Sequence, residues 1–277
     1  MQIRSRLSHI ALRGFVAIVV ALTVFCGATW VSIEYTAHRA TMLLGEAARL
    51  RIGDSEASVL PLVERYGGFK WAPETRADVG PLDRWTSKWA YEHKLRTLSD
   101  YAYDIKVGPW GYPTTATIRE GRWRWWDRAL LSAVNAMPVR VRSLLGLREW
   151  LTSVGVQIRG GHVSEVGAGS LVEGRSGGWI LHEWGLAEEL PDEDMPSRAF
   201  EIDRPILSGF EGYSEAIERH LTPKASEEEF RAAQTLNGDC LTSVRGCRGS
   251  CDLSGLTVRY LNEHPEVGPH AIPLKCE

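Results

Sequence analysis

The chain has 277 residues, 44% hydrophobic and 24% charged, with a formal net charge of -3. That is long and apolar enough to bury one sizeable core, and too apolar for a disordered chain. The charge is segregated into blocks of +3 over residues 1–33, +4 over 119–150 and -10 over 173–229, which is not the net basic domain that coats nucleic acid.

The first element is membranous. From Gly14 to Ile33, "GFVAIVVALTVFCGATWVSI" holds twenty residues without a charge, the length of helix that crosses a hydrocarbon core of roughly 30 Å. Arg4, Arg6 and Arg13 precede it and Glu34 and Glu46 follow it. The positive-inside bias therefore predicts a cytoplasmic segment over 1–13, a transmembrane helix over 14–33 in the lipid bilayer of the inner membrane, and the rest outside the cytoplasm. Trp30 and Tyr35 fall where interfacial aromatics belong. The competing reading is a signal peptide removed after residue 28, at the small-residue site Cys26-Gly27-Ala28, which secretes the remainder. The apolar run continues past that site and "EYTAHRATMLLGEAARL" can carry the helix onward, so an uncleaved anchor with a juxtamembrane helix over 34–52 is preferred.

An extracytoplasmic domain is expected over 53–277. In "RIGDSEASVLPLVERYGG", Val59, Leu62, Val63 and Tyr66 recur at helical spacing, Asp54 or Ser55 can cap the start, Gly67 can end it, and Pro61 sits awkwardly within. This run resembles the Gly-x-Ser/Thr-x-x-x-Val helix opening of small outer-membrane assembly lipoproteins of the BamE type. "SDYAYDIKV" alternates like a half-buried strand. In "EGRWRWWDRALL", helical spacing gathers Trp123, Trp126, Leu130, Val134 and Met137 into an apolar stripe, and Asp127 can pair with Arg124. It leaves Trp125 on the polar side between Arg122 and Arg128, whose guanidinium groups can stack on the indole. These three residues are candidates for contact with anionic lipid or a partner. The alternative is that the segment packs on the sheet and its arginines meet the acidic block at 173–229.

"VGVQIRGGHVSEVGAGSLV" predicts two strands around a Gly160-Gly161 turn, with "GGWILHEW" as a third. The "GRSGG" between them matches the nucleophile elbow G-x-S-x-G, but that motif needs a helix after the serine. Here a strand pattern follows, so Ser176 reads as a turn residue. His182 and Glu183 are adjacent and would point to opposite faces of a strand; His162 can approach His182 across neighbouring strands in one guessed register. His162, His182 and Glu183 are thus the catalytic candidates of an enzyme reading. "PDEDMP" lacks the spaced ligand pattern of a calcium loop. No HExxH, Walker loop, GxGxxG or CxxC is present, so neither metal nor cofactor is expected.

"RAFEIDRPIL" and "GLTVRYL" are further strand candidates, and "SEEEFRAAQTLNG" is a helix capped by Ser226 and stopped at Asn237-Gly238. Cys240, Cys247, Cys251 and Cys276 crowd a tail over 238–277. In an oxidising compartment they predict two disulfides, with three connectivities open, and their spacing lacks the close pair of a zinc site. The fold class is therefore α+β: an N-terminal transmembrane helix, then a mainly antiparallel sheet with packed helices and a disulfide-pinned C-terminal tail.

The anchor, the "GDS" segment, "LLGLREW" and "CLTSVRGCRGSC" together resemble a family of single-pass membrane-anchored bacterial extracytoplasmic proteins with no known activity. The resemblance implies export and anchoring in the bacterial envelope. The expected function is binding or scaffolding, more in keeping with the chain than catalysis, with an envelope protein as partner and no nucleic acid. The alternatives are an envelope enzyme, a hydrolase with a polar site near 162–183, and a sensor or assembly factor working through its membrane helix.

Overall fold

A computed structural model describes residues 2–71, 100–108, 137, 141–142, 150–174, 178–187, 198–201, 213–243 and 245–264. Helix α1, Gln2–Ala47, runs unbroken through the apolar segment and beyond it. At 1.5 Å per residue it is about 70 Å long. Its two halves differ in what surrounds them. Phe15, Val16, Ile18, Val20 and Val24 point in all directions around the axis and all are exposed, Phe15 at 64%. From Ile33 onward a single stripe is buried, through Ala37, Ala40, Leu43, Leu44 and Ala47. That helical spacing is what packing against one neighbouring layer demands. The expected juxtamembrane helix is thus a continuation of α1 that ends short of residue 52, and its second half belongs to the domain core.

A 3-10 turn, Glu56–Ser58, precedes α2, Leu60–Tyr66. The helix starts later than the expected caps: Ser55 makes no side-chain cap bond, and Pro61 falls in the first turn, where its missing N–H costs nothing. Gly67 ends α2 in the left-handed region, as its position predicts.

Seven strands form one sheet: β1 Phe69–Trp71, β2 Tyr101–Val107, β3 Trp150–Arg159, β4 His162–Glu173, β5 Trp179–Ala187, β6 Arg198–Glu201 and β7 Tyr213–Leu221. Their spatial order is β1-β2-β3-β4-β5-β7-β6. The first five pair antiparallel in chain order, β5 pairs parallel with β7, and β6 closes the far edge antiparallel to β7. The sheet is therefore mainly antiparallel, with one parallel join. Gly160 and Gly161, at φ 57° and 77°, make the two-residue turn that sets the β3–β4 register, Arg159 opposite His162.

The helices lie on one face of this sheet. Along β3, Trp150, Thr152, Val154 and Val156 are buried while Leu151, Ser153 and Gly155 are less so. In register with them, Val172, Ser170, Ala168 and Val166 of β4 and Ile180, His182, Trp184 and Leu186 of β5 continue the buried face. Helix α1 packs on β2, β3 and β4, whereas α3, Glu227–Gln234, and α5, Ser250–Glu263, cover β5 and β7. Ser226 caps α3 with a reciprocal capping box through Glu229, as predicted, although α3 ends at Gln234, before Asn237-Gly238. Gly238 instead opens the short α4, Asp239–Thr242.

"GLTVRYL" is helical, not a strand. Ser250, Leu253, Ser254, Thr257, Val258 and Leu261 are buried at three- and four-residue spacing, so the packing face is that of a helix, and β-branched Thr257 and Val258 do not override it. A disulfide joins Cys240 to Cys247, tying α4 to the segment before α5 inside the core. Cys251 is also disulfide-bonded, and Cys26 is free. Arg122, Trp125 and Arg128, with the helix expected around them, lie outside the described residues. So do Ser176, "PDEDMP" and Cys276.

Candidate functional site

Polar side chains buried between the sheet and α5 form the candidate site. On β5, apolar Ile180, Trp184 and Leu186 require one face to be covered, and His182, which shares that face, is carried inside with them at 2% exposure. Its neighbours in register are Ser170 on β4 and Ile217 on β7. Above it, the Thr257 hydroxyl donates to the Ala232 carbonyl at 2.6 Å, leaving its oxygen 3.4 Å from His182 Nε2. Burial pulls the His182 pKa down to about 4; a backbone hydrogen bond with Ala233 opposes this, and the charge of Arg219 adds to it. The imidazole is neutral at neutral pH and is engaged with the helix layer.

Arg219 lies on β7 opposite Trp184, between buried Ile217 and Leu221, at 1% exposure. Its Cζ sits 5.0 Å from the centre of the Tyr260 ring, and Tyr260 in turn stacks on His264 with ring centres 4.5 Å apart. Burial lowers the Arg219 pKa, while the phenol of Tyr260 and the carboxylate of Glu229 favour its charge. Among the described residues its three guanidinium nitrogens make no hydrogen bond of ordinary geometry, and the Tyr260 hydroxyl is the one side-chain group that approaches them as a weak acceptor.

The catalytic candidates are not brought together. His162 opens β4, is exposed, and places Nδ1 3.1 Å from the Gly53 carbonyl oxygen. The β4 residue opposite His182 is Ser170. At about 3.3 Å per residue the eight-residue offset along β4 puts His162 roughly 26 Å away. Glu183 belongs to the opposite face from His182, as strand alternation requires.

On that opposite face, several charges are buried in pairs. Lys106 Nζ lies 3.1 Å from Asp104, Arg142 pairs with Glu173, and Gln157 donates to Glu165. Arg142 belongs to the arginine-rich block and Glu173 to the acidic one, so one arginine of 119–150 does meet the acids of 173–229. A third cluster holds the 3-10 turn to the sheet edge. The hydroxyls of Tyr101 and Tyr103 donate to Glu56 at 2.6 and 2.5 Å, and Lys70 Nζ sits 3.3 Å from the Tyr101 ring centre. Those hydroxyls, Tyr101 first, hold the Glu56 pKa below its ordinary value, and Tyr101 rises to about 12, chiefly because it donates to that carboxylate.

No family model, curated protein or solved structure matches this chain. The site must therefore be read from its own residues. Among the described residues no three His, Cys, Asp or Glu side chains are grouped to hold a metal ion. What the cluster under α5 offers is a neutral imidazole, a tyrosine ring and a guanidinium with hydrogen-bonding capacity to spare. Arg219, Thr257 and Tyr260 are not among the site residues expected from the sequence. Their signal was the period-two set Ile217, Arg219 and Leu221 in "YSEAIERHL", an arginine flanked by core residues.

Proposed function

We propose that the chain is a single-pass, membrane-anchored binding or scaffolding protein of the bacterial envelope, with its domain outside the cytoplasm. The observation that carries this reading is the change along α1, from apolar residues exposed on every side to a stripe buried in the domain core, within one uninterrupted helix. A core helix of a soluble protein hides its apolar residues; this window leaves them uncovered, and a bilayer covers them at no cost. The Cys240–Cys247 disulfide favours an oxidising compartment for the domain, and Arg4, Arg6 and Arg13 favour the cytoplasm for the N-terminus. The wide separation of His162 from His182 favours binding over the hydrolase alternative.

The test is fractionation of cells producing the full chain with a C-terminal tag. The reading expects the protein in membranes after alkaline carbonate extraction, and digestion of the domain by protease added to spheroplasts. Release of a soluble chain beginning near residue 29 would establish the secreted form instead.

A further inference from the structure

We propose that Arg219 is the receptor for a single anionic group, a carboxylate or a phosphate, bound between β7 and α5. This deepens the binding reading above and rests on it. The starting point is an imbalance. A guanidinium taken out of water is tolerated where hydrogen bonds and an opposite charge replace the lost hydration. Arg219 is 1% exposed, yet Nε, Nη1 and Nη2 make no hydrogen bond of ordinary geometry among the described residues. The Tyr260 ring lies over the guanidinium at 5.0 Å and supplies a cation–π contact to its flat face. The Tyr260 hydroxyl can engage one N–H donor weakly, and the remaining donors, which project in the guanidinium plane, are left over.

The acid nearest in effect does not fill the role. Glu229 favours the charge on Arg219 through space, but its Oε2 accepts the Ser226 backbone N–H at 2.7 Å as half of the α3 capping box. His182, on the adjacent strand, is neutral and is itself disfavoured as a cation by Arg219. Among the described residues the surroundings thus hold one positive charge, no carboxylate paired with it, and donors that the Tyr260 hydroxyl does not satisfy. That arrangement matches a planar carboxylate or a phosphate edge, which a guanidinium binds with two parallel hydrogen bonds. Helix α5 is interrupted at Ser254, with φ -144° and ψ 45°, so the turn that carries Tyr260 is a separate piece from the one that follows Gly249.

The full-length protein in detergent provides the test. Its unfolding temperature is measured by intrinsic fluorescence at pH 7 and constant ionic strength, in sodium gluconate against rising inorganic phosphate or acetate. The expected result is a saturable rise of several degrees. A response to phosphate alone identifies a phosphate site, and a response to acetate as well identifies a carboxylate site. Arg219→Met should lose the response and unfold no lower than the wild type does in gluconate, because it removes an unpaired charge. Arg219→Lys, which keeps the charge and loses the fork, should need at least tenfold more anion. A wild-type transition indifferent to both anions, or a variant that keeps the full response, would overturn the proposal. Because the measurement is made in detergent, membrane attachment can fail or hold independently of it.

Discussion

The buried imidazole gives the protein a defined acid sensitivity. His182 titrates at about 4 in the fold against an ordinary 6.5, because burial disfavours its charged form. In the unfolded chain the group takes up a proton below about 6.5, while in the fold it stays neutral until about 4. Between those values the unfolded state binds more protons. The stability that His182 contributes is therefore complete above pH 6.5, falls as the pH drops, and is gone below 4. At about 1.4 kcal/mol per pH unit the loss across the window is about 3 kcal/mol. Urea unfolding of the full chain in detergent, followed by fluorescence at pH 7.5, 6, 5 and 4, measures it. The comparison is His182→Gln, which keeps a polar side chain but cannot titrate. Carboxylates such as Asp252, held below its ordinary pKa by Arg248, act alike on both proteins and cancel in the difference. The wild type should lose about 3 kcal/mol more than the variant on going from pH 7.5 to 4. Parallel curves would mean that His182 is not held neutral in the fold, and the assignment of its environment would fail.

Three further outcomes follow from packing. Gly169→Ala should cost about 1–3 kcal/mol in the same unfolding measurement, since a Cβ there would lie 2.8 Å from the His182 carbonyl oxygen and 3.2 Å from Glu183 Cα, both backbone atoms that cannot swing aside. Replacing Cys240 and Cys247 together by serine should lower stability by about 2–3 kcal/mol through the entropy of the short loop they close, and a reducing agent should have no further effect at that loop. Leu43→Ala, at a position with no exposure in the second half of α1, should destabilise the domain by about 2–5 kcal/mol while leaving carbonate-resistant attachment intact; Leu22→Ala should change neither by more than about 0.5 kcal/mol.

Much of the sheet was legible because its strands obey local rules. β2 to β5 alternate, and Gly160-Gly161 marks the turn between β3 and β4. The capping box of α3 is written in Ser226 and Glu229. β7 is harder to read, because Glu215, Glu218 and Arg219 interrupt the apolar residues of "YSEAIERHL" and it is pairing with β5 that carries Arg219 inside. α5 was misread because Thr257, Val258 and Tyr260 favour strands locally, whereas the helical spacing of its buried face is set by β5, β7 and α3, which are distant in sequence. The proposed approach of His162 to His182 failed on register. Strand identity is a local property, but the offset that places Ser170 opposite His182 is fixed by the β4–β5 pairing as a whole.

The helix α1 ties the sheet to the proposed location. Burial of its side chains begins at Thr29 and Ile33, inside the final turns of the apolar window, and there is no linker between window and core. At 1.5 Å per residue, Ala37 lies about 6 Å beyond Ile33 along the axis and Ala47 about 21 Å. Those residues pack against the layer formed by β2, β3 and β4. On the anchored reading, the sheet therefore begins at the depth of the lipid headgroups and the domain is seated on the bilayer without a stalk. A flexible tether would let the domain search a large volume, whereas a rigid helix fixes its height and tilt. On that reading, binding favours partners that are themselves presented at the membrane surface.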